Sequence, residues 1–321
     1  MKRSVSLGLW QDRPPAEVLV TAEAADLLGY AELWIGEMAT YDAFALATAV
    51  AARTARIPLT VGPLAVTVRD PATIAMGAAS VADLTGRPVS VALGTSSTVV
   101  VEDWHGRSRA RAGRALEESA VAVRALLSGD RADLDGDVLR CRGYRLRLPA
   151  VPGPLTVAAF GPAALRTAGR YADRLVLNLV SPETAADLVA DVEKAAAQAG
   201  RPRPTVAAWV GAAVGPGHEA GAEQLRRGLV SYLAAPGYGE MFARAGYADL
   251  VAHARTRPHP RELLAAVPRE LVDVVALSGP DRDAVEAMTA RYAAAGVDEL
   301  VLVPCSTDAD PGGVQTLDVL R

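Results

Sequence analysis

Short β-branched or apolar runs alternate with longer alanine-rich amphipathic stretches along this chain, and few architectures accept that alternation. Strands are expected over Val5–Trp10, Glu32–Gly36, Ile57–Val66, Pro88–Leu93, Leu155–Phe160, Leu175–Leu179, Val206–Val214 and Glu299–Val303. The helices between them open at Pro14-Pro15, Phe44, Pro71, Arg109, Pro162, Pro182 and Arg282, and the first stops at Gly29. Eight strands with intervening helices favour an α/β fold of the closed (β/α)8 TIM-barrel type over an open doubly wound sheet. The spacing is uneven, so insertions are expected after helix 4 (about 128–154) and around helix 7 (about 217–280). The first contains the alternation Leu139-Arg-Cys-Arg-Gly-Tyr-Arg-Leu-Arg-Leu148, which suits a hairpin; the second reads as extra helices. No linker or shift in composition divides residues 1–321, which read as one domain.

Composition excludes several classes. Half of the residues are hydrophobic and 22% are charged, a balance that builds a core and argues against disorder. The net charge of −4 offers no general basic field for nucleic acid or an anionic membrane. No apolar run reaches spanning length, and the short apolar start breaks at Gln11-Asp12-Arg13, so a soluble cytoplasmic protein is expected. Cys141 and Cys305 match no disulfide or zinc pattern, and no metal-ligand spacing occurs elsewhere. All but two of the basic residues, Lys2 and Lys194, are arginines. With the abundant alanine this reads as coding bias, and no arginine stands out.

In a barrel of this type, chemistry sits at the C-terminal ends of the strands. Gly94-Thr95-Ser96-Ser97 offers three hydroxyls and free backbone N–H groups directly after a buried strand. Phe160-Gly161-Pro162-Ala163-Ala164 leads a strand into a helix whose first amides and dipole favour a phosphate. Both are also ordinary strand-to-helix turns. Gly62-Pro63 interrupts an otherwise good strand, either as a bulge into the barrel mouth or as a strand end. Trp10, Met38, Tyr41 and Trp209 lie where an apolar, aromatic wall would receive a planar substrate, with Asn178 at a neighbouring strand end.

Several of these segments together resemble the luciferase-like flavin and deazaflavin oxidoreductases. Leu33-Trp-Ile-Gly-Glu37 is similar to that family's second strand, and Gly62-Pro-Leu-Ala-Val-Thr-Val-Arg-Asp-Pro71 to its third-strand segment ending in Arg-x-Pro. Leu84-Thr-Gly-Arg87 with Val91-Ala-Leu-Gly-Thr95, then Ala168-Gly-Arg-Tyr-Ala-Asp173, then Ala295-Gly-Val-Asp-Glu-Leu300 follow in the family's order. The resemblance covers nearly the whole chain and is nearer to the deazaflavin branch, which includes methylenetetrahydromethanopterin reductase. It implies a coenzyme F420-dependent oxidoreductase, acting on a small C=C or C=N substrate, and a homodimer paired through helices near the second and third strands. By carry-over, Gly62 and Pro63 would support the ring. Gly94, Thr95, Ser96, Gly161, Pro162 and Ala163 would line the cofactor's side chain and phosphate. An FMN-dependent monooxygenase of the same superfamily and a catalytically silent flavin-binding barrel remain as alternatives.

Two departures bear on the reaction. Many deazaflavin enzymes carry a histidine after the acidic residue of the second strand, where this chain has Glu37-Met38. The sugar-phosphate dehydrogenases place a glutamate where Ser97 stands. Both losses favour a reductase. For the proton, Glu37 is the best-placed carboxylate, either as an acid with a pKa raised by burial or as a brace for its loop. His105 is the one histidine near a strand end, and it reads as a catalytic group or, more simply, as an anchor for the fourth helix.

Overall fold

Side chains along a strand alternate between its two faces, and this chain fills the two faces with different chemistry. In the computed structural model, which describes residues 1–321, Leu33 and Ile35 pack outward into the large core between sheet and helices. Trp34, between them, joins Ala92, Val176, Ala207, Trp209, Val301 and Val303 in a small separate cluster on the barrel axis. The strands are β1 (Lys2–Ser6), β2 (Leu33–Ile35), β3 (Leu59–Ala65), β4 (Val89–Gly94), β5 (Ala132–Asp135), β6 (Arg140–Tyr144), β7 (Leu155–Ala158), β8 (Arg174–Asn178), β9 (Thr205–Val214), β10 (Ala276–Gly279) and β11 (Glu299–Pro304). Eight of them close a parallel barrel in the order β1-β2-β3-β4-β7-β8-β9-β11 and back to β1. This is the (β/α)8 barrel expected from the alternation.

The helices are α1 (Glu17–Leu27), α2 (Ala43–Arg53), α3 (Pro71–Thr85), α4 (Ala112–Leu127), α5 (Pro162–Tyr171), α6 (Pro182–Gln198), α7 (His218–Leu229), α8 (Tyr238–Phe242), α9 (Ala248–Arg255), α10 (Pro260–Ala266), α11 (Arg282–Ala294) and α12 (Val314–Leu320). Their starts are written locally. The Asp42, Asp70, Ser181 and Asp281 side chains accept hydrogen bonds from first-turn amides of α2, α3, α6 and α11. β5 and β6 form an antiparallel hairpin after α4, and α7 to α10 fill the second insertion. The hairpin turn is pinned by buried Glu118, which accepts from the amides of Asp137, Val138 and Leu139.

Three features depart from the expected elements. The first strand begins at Lys2 and ends at Ser6, so Trp10 lies in the following loop. Its inward residues, Ser4 and Ser6, are polar and hide the strand from a hydrophobicity reading. β10 pairs in parallel with the upper half of β9 as a ninth strand, and α12 closes the chain; both are short and were not anticipated.

The barrel floor is ionic. Arg174, at the start of β8, donates to both oxygens of Glu32 (2.7 and 3.0 Å), to Glu299 (3.2 Å), to Thr60 (2.8 Å) and to Thr156 (3.0 Å). Lys2 reaches Glu32 from below at 2.7 Å. The guanidinium lies 4.3 Å from the centre of the Trp34 ring, so the charged floor carries the aromatic axis above it. Burial opposes ionisation of Glu32, but the hydrogen bonds and charge of Arg174, with help from Lys2, bring its pKa down to about 2. A carboxylate depressed in this way stabilises the fold above its unfolded pKa of ~4.3, and that contribution disappears as pH falls through the folded value. The effect is on the order of 3 kcal/mol. Urea unfolding followed from neutral pH to about pH 2.5 should show stability falling across that acid window. In Glu32→Gln the acid limb should be flatter from a lower starting stability; an unchanged slope would count against this assignment.

Candidate active site

The C-terminal rim gathers most of the residues expected there. At the end of β3, the pairing with β4 shifts register between Val61 and Leu64, so a bulge does form at Gly62-Pro63, whose peptide is cis. Gly62 has φ +126°, and a Cβ placed there would lie 2.2 Å from the Ala92 carbonyl oxygen. Only glycine lets the two strands approach so closely. Next to it, a Cβ on Gly94 would meet Pro63 at 3.2 Å and Ala158 at 3.5 Å, which brings the ends of β3, β4 and β7 to one place. Two non-glycine residues on the same rim hold left-handed backbone, Ser96 after β4 (φ 55°) and Leu179 after β8 (φ 52°). Such conformations cluster at functional sites.

Beside the bulge, three elements build an anion cradle. Gly161 caps α5 without a side chain, and Pro162 has no N–H, so the amides of Ala163 and Ala164 open α5 with no intrahelical partner. A Cβ on Gly161 would meet nothing within 4 Å, which leaves the approach open. The start of α4 packs against this turn, Gly113 facing Ala163. From the segment just before α4, Arg109 donates to Thr95 Oγ1 at 3.3 Å, while its Nε is buried with no partner. A cation with a spare donor, two hydroxyl-bearing turn residues and a helix N-terminus are together suited to a phosphate.

The opposite side of the mouth is aromatic. Trp10 stacks on Trp209 with ring centres 5.6 Å apart and planes at 12°, and Trp209 meets Trp34 edge to face at 5.8 Å. Trp209 lies within β9 rather than at its end, with its side chain in the axial cluster. Met38 and Tyr41 are exposed on the rim after β2. From the helical insertion, Tyr238 packs on Phe160 at 4.6 Å and donates to the Asn178 carbonyl at 3.1 Å. Burial pushes the Tyr238 phenol well above its ordinary range, so it acts here as a hydrogen-bond donor.

The two candidate acids are placed differently. Both oxygens of Glu37 are engaged by Arg69, one at 2.8 Å from Nε and the other by Nη2, and Arg69 also pairs with Asp42. Glu37 Oε1 accepts in addition from the Ala43 amide at 3.3 Å, so the carboxylate ties the loop after β2 to α2 and to the end of β3. It lies against a guanidinium rather than among apolar groups. His105 is exposed on the segment between β4 and α4; its backbone N–H donates to the Glu102 carbonyl, and its imidazole makes no hydrogen bond within the chain.

A cavity of about 930 Å³ opens at the other end of the barrel, among Lys2, Glu32, Arg87, Arg174, Glu299 and the proline-rich segment 149–154. It contains none of the candidate site residues, and its inner charges compensate one another on the barrel floor. In this architecture that face serves stability. No group of three or more His, Cys, Asp or Glu is arranged to hold a metal ion. Arg69 is marked in the sequence only as the arginine of the Arg-x-Pro segment, without its role; Arg109, Arg174 and Tyr238 carry no signal, because they are marked only by the groups that folding brings to them.

The family model described as luciferase-like monooxygenase matches residues 4–299. A 5,10-methylenetetrahydromethanopterin reductase of Methanolobus tindarius is 26% identical over 189 residues, 59% of this chain and 58% of that protein. An F420-dependent hydroxymycolic acid dehydrogenase of Mycobacterium tuberculosis is 39% identical over 107 residues, 32% of this chain and 29% of that protein. The chain thus spans less than two thirds of the length of these curated relatives. In fold, it matches the coenzyme F420-dependent tetrahydromethanopterin reductase of Methanopyrus kandleri with a TM-score of 0.82 and 19% identity, over 100% of this chain and 97% of the other.

The bulge makes a direct test of the rim geometry. Gly62→Ala should destabilise the protein by about 1–3 kcal/mol, because the new methyl meets the Ala92 carbonyl and the backbone angle disfavours any side chain. Denaturant unfolding reads the loss, and wild-type stability in that variant would contradict the geometry.

Proposed function

This chain belongs to the luciferase-like monooxygenase family, and from that premise we propose that it is a coenzyme F420-dependent reductase, passing hydride to a C=C or C=N bond of a small organic substrate. The observation that carries the reading is the anion cradle of Arg109, Thr95 and the α5 N-terminus beside the Gly62-Pro63 bulge. These residues fit the group: Arg109 Nε is a buried donor without a partner, and Gly62, Gly94 and Gly161 keep the surface free of side chains. Both curated relatives described above point the same way, the second by its F420-dependent name.

Bound here, the deazaflavin would supply two-electron hydride chemistry from a carbon where flavins carry an oxygen-reactive nitrogen. The backbone of Gly62 and Pro63 would support its ring. Thr95, Ser96, Arg109 and the amides of Ala163 and Ala164 would hold its phosphate, with Gly161 and Pro162 shaping the turn. On the substrate side, Trp10, Met38, Tyr41 and Trp209 offer an apolar, aromatic wall, and Asn178 is kept in place by Tyr238. Glu37, engaged at both oxygens by Arg69, braces the loop. His105 is exposed and its imidazole bonds to no group of the chain, so we assign it neither an anchoring role nor the proton transfer. Met38 and Ser97 put no titratable group where the dehydrogenase pattern has them, which supports the reductive direction.

No helix is long and apolar enough to cross a membrane, and we place the enzyme in the cytoplasm. Exposed Met76 and Leu84 on α3 support pairing of two copies through that face. The cofactor is tested by titrating the protein with F420 and, separately, with FMN while following tryptophan fluorescence. F420 should bind in the micromolar range and more tightly than FMN. Arg109→Ala should weaken it by roughly 10- to 100-fold, the worth of one charge-assisted hydrogen bond. A preference for FMN would make the enzyme a monooxygenase, and binding of neither would leave a catalytically silent barrel.

A further inference from the structure

Asn178 is the only asparagine in the 321-residue chain. The coding bias that multiplies alanine and arginine also strips out lysine and asparagine, and the one asparagine that remains stands at the barrel mouth. Along β8, Leu175 and Leu177 pack outward into the large core, Val176 joins the axial cluster, and Arg174 holds the floor. Asn178, next in the inward series, therefore faces the axis at the mouth. In the β8–β9 register it stands beside Trp209. Its backbone is fixed, because its carbonyl accepts from the Tyr238 hydroxyl at 3.1 Å and the Leu179 amide donates to the Trp209 carbonyl at 3.2 Å. The carboxamide itself is only partly buried and makes no hydrogen bond within the chain.

Its neighbours on the inner face offer no such group. By the same alternation Gly36 follows Trp34 and Gly94 follows Ala92, Gly62 stands at the bulge, and Ala158, Trp209 and Val303 belong to the axial cluster or pack on it. Ser6 Oγ is fully buried. Among the inward residues of the upper barrel, Asn178 alone presents an accessible hydrogen-bonding side chain, and none carries a charge. Arg69, on the rim, is held by Glu37 and Asp42. We propose that Asn178 is the substrate-orienting residue. Its substrate is an uncharged molecule with a carbonyl conjugated to the reducible C=C bond, or with the nitrogen of a reducible C=N bond in that place. The side-chain N–H donates to that oxygen or nitrogen and draws electron density toward it, the polarity that hydride addition needs. A neutral amide suits a neutral partner, since an ion in this layer would find no counter-charge. The proposal rests on the mouth being the reaction site, as proposed above, but it does not depend on which cofactor binds there.

With one asparagine in the chain, protein labelled with nitrogen-15 asparagine gives a single carboxamide in proton–nitrogen NMR. Tryptophan labelling adds the neighbouring Trp209 indole as a separate report of occupancy. The probe is 2-cyclohexen-1-one, titrated into the full-length protein. It should move the Asn178 carboxamide and the Trp209 indole along one saturation curve. 1-Cyclohexene-1-carboxylate, the same ring with a charged group, should leave the carboxamide unmoved. Asn178→Leu, similar in size and without a polar group, should weaken cyclohexenone roughly tenfold on the Trp209 curve, with circular dichroism showing the variant folded. A Trp209 response without a carboxamide response, unchanged affinity in Asn178→Leu, an equal response to the carboxylate, or no response to cyclohexenone at all would each overturn the proposal. F420 titrated into the same samples separates the two claims. Cyclohexenone contact at Asn178 without F420 binding keeps the orienting role and removes the cofactor reading. A carboxamide that answers F420 and not cyclohexenone belongs to the cofactor, which overturns this proposal alone.

Discussion

The barrel is organised around one buried guanidinium. Arg174 sits on the axis near the floor, shared by Glu32 and Glu299 and hydrogen-bonded to Thr60 and Thr156, so it ties together the first residues of five strands or their approaches. A buried charge is costly unless it is fully partnered, and here every nitrogen of the guanidinium has an acceptor. Trp34 rests on its face, Trp209 meets the edge of Trp34, and Trp10 lies on Trp209. The axis is therefore a column that runs from ionic floor to aromatic mouth. An alanine-rich interior, with Ala92 and Ala207 lining the axis, leaves room for those large rings.

The column also divides the two ends by task. At the floor, a cavity opens over the paired charges of Lys2, Glu32 and Arg174, with Arg87 Nη1 and Glu299 Oε1 buried without partners. At the mouth, donors remain uncommitted: Arg109 Nε, the first amides of α5, and the Trp209 N–H. Unpartnered polar atoms occur at both ends, and the mouth differs in joining a cation to hydroxyls and to the free amides of a helix N-terminus.

Much of the fold was legible because hydrophobic alternation and local caps are sequence-local signals. The eight barrel strands follow from them, and so do the hairpin and helical insertions. Boundaries failed where inward positions are polar, as with Ser4 and Ser6 in β1. At the site, glycine and proline gave the clearest signals, since Gly62, Gly94 and Gly161 are needed for reasons of backbone space that the sequence states directly. Arginines were the blind spot. Coding bias makes them numerous, and what distinguishes Arg109 and Arg174 is the company each keeps once the chain is folded, while Arg69 was marked by its motif but not by its role. Glu37 shows the same limit from the other side, because its partner Arg69 lies 32 residues away.

On the proposed reading the cofactor occupies the mouth, between the β3 bulge and the start of α5, and not the cavity at the floor. Amide hydrogen exchange with and without F420 tests this most directly. Protection should rise over residues 94–97 and 161–165, while the segment 149–154 at the floor stays unchanged. Protection confined to the floor segment, with the two rim turns exchanging as before, would contradict the account.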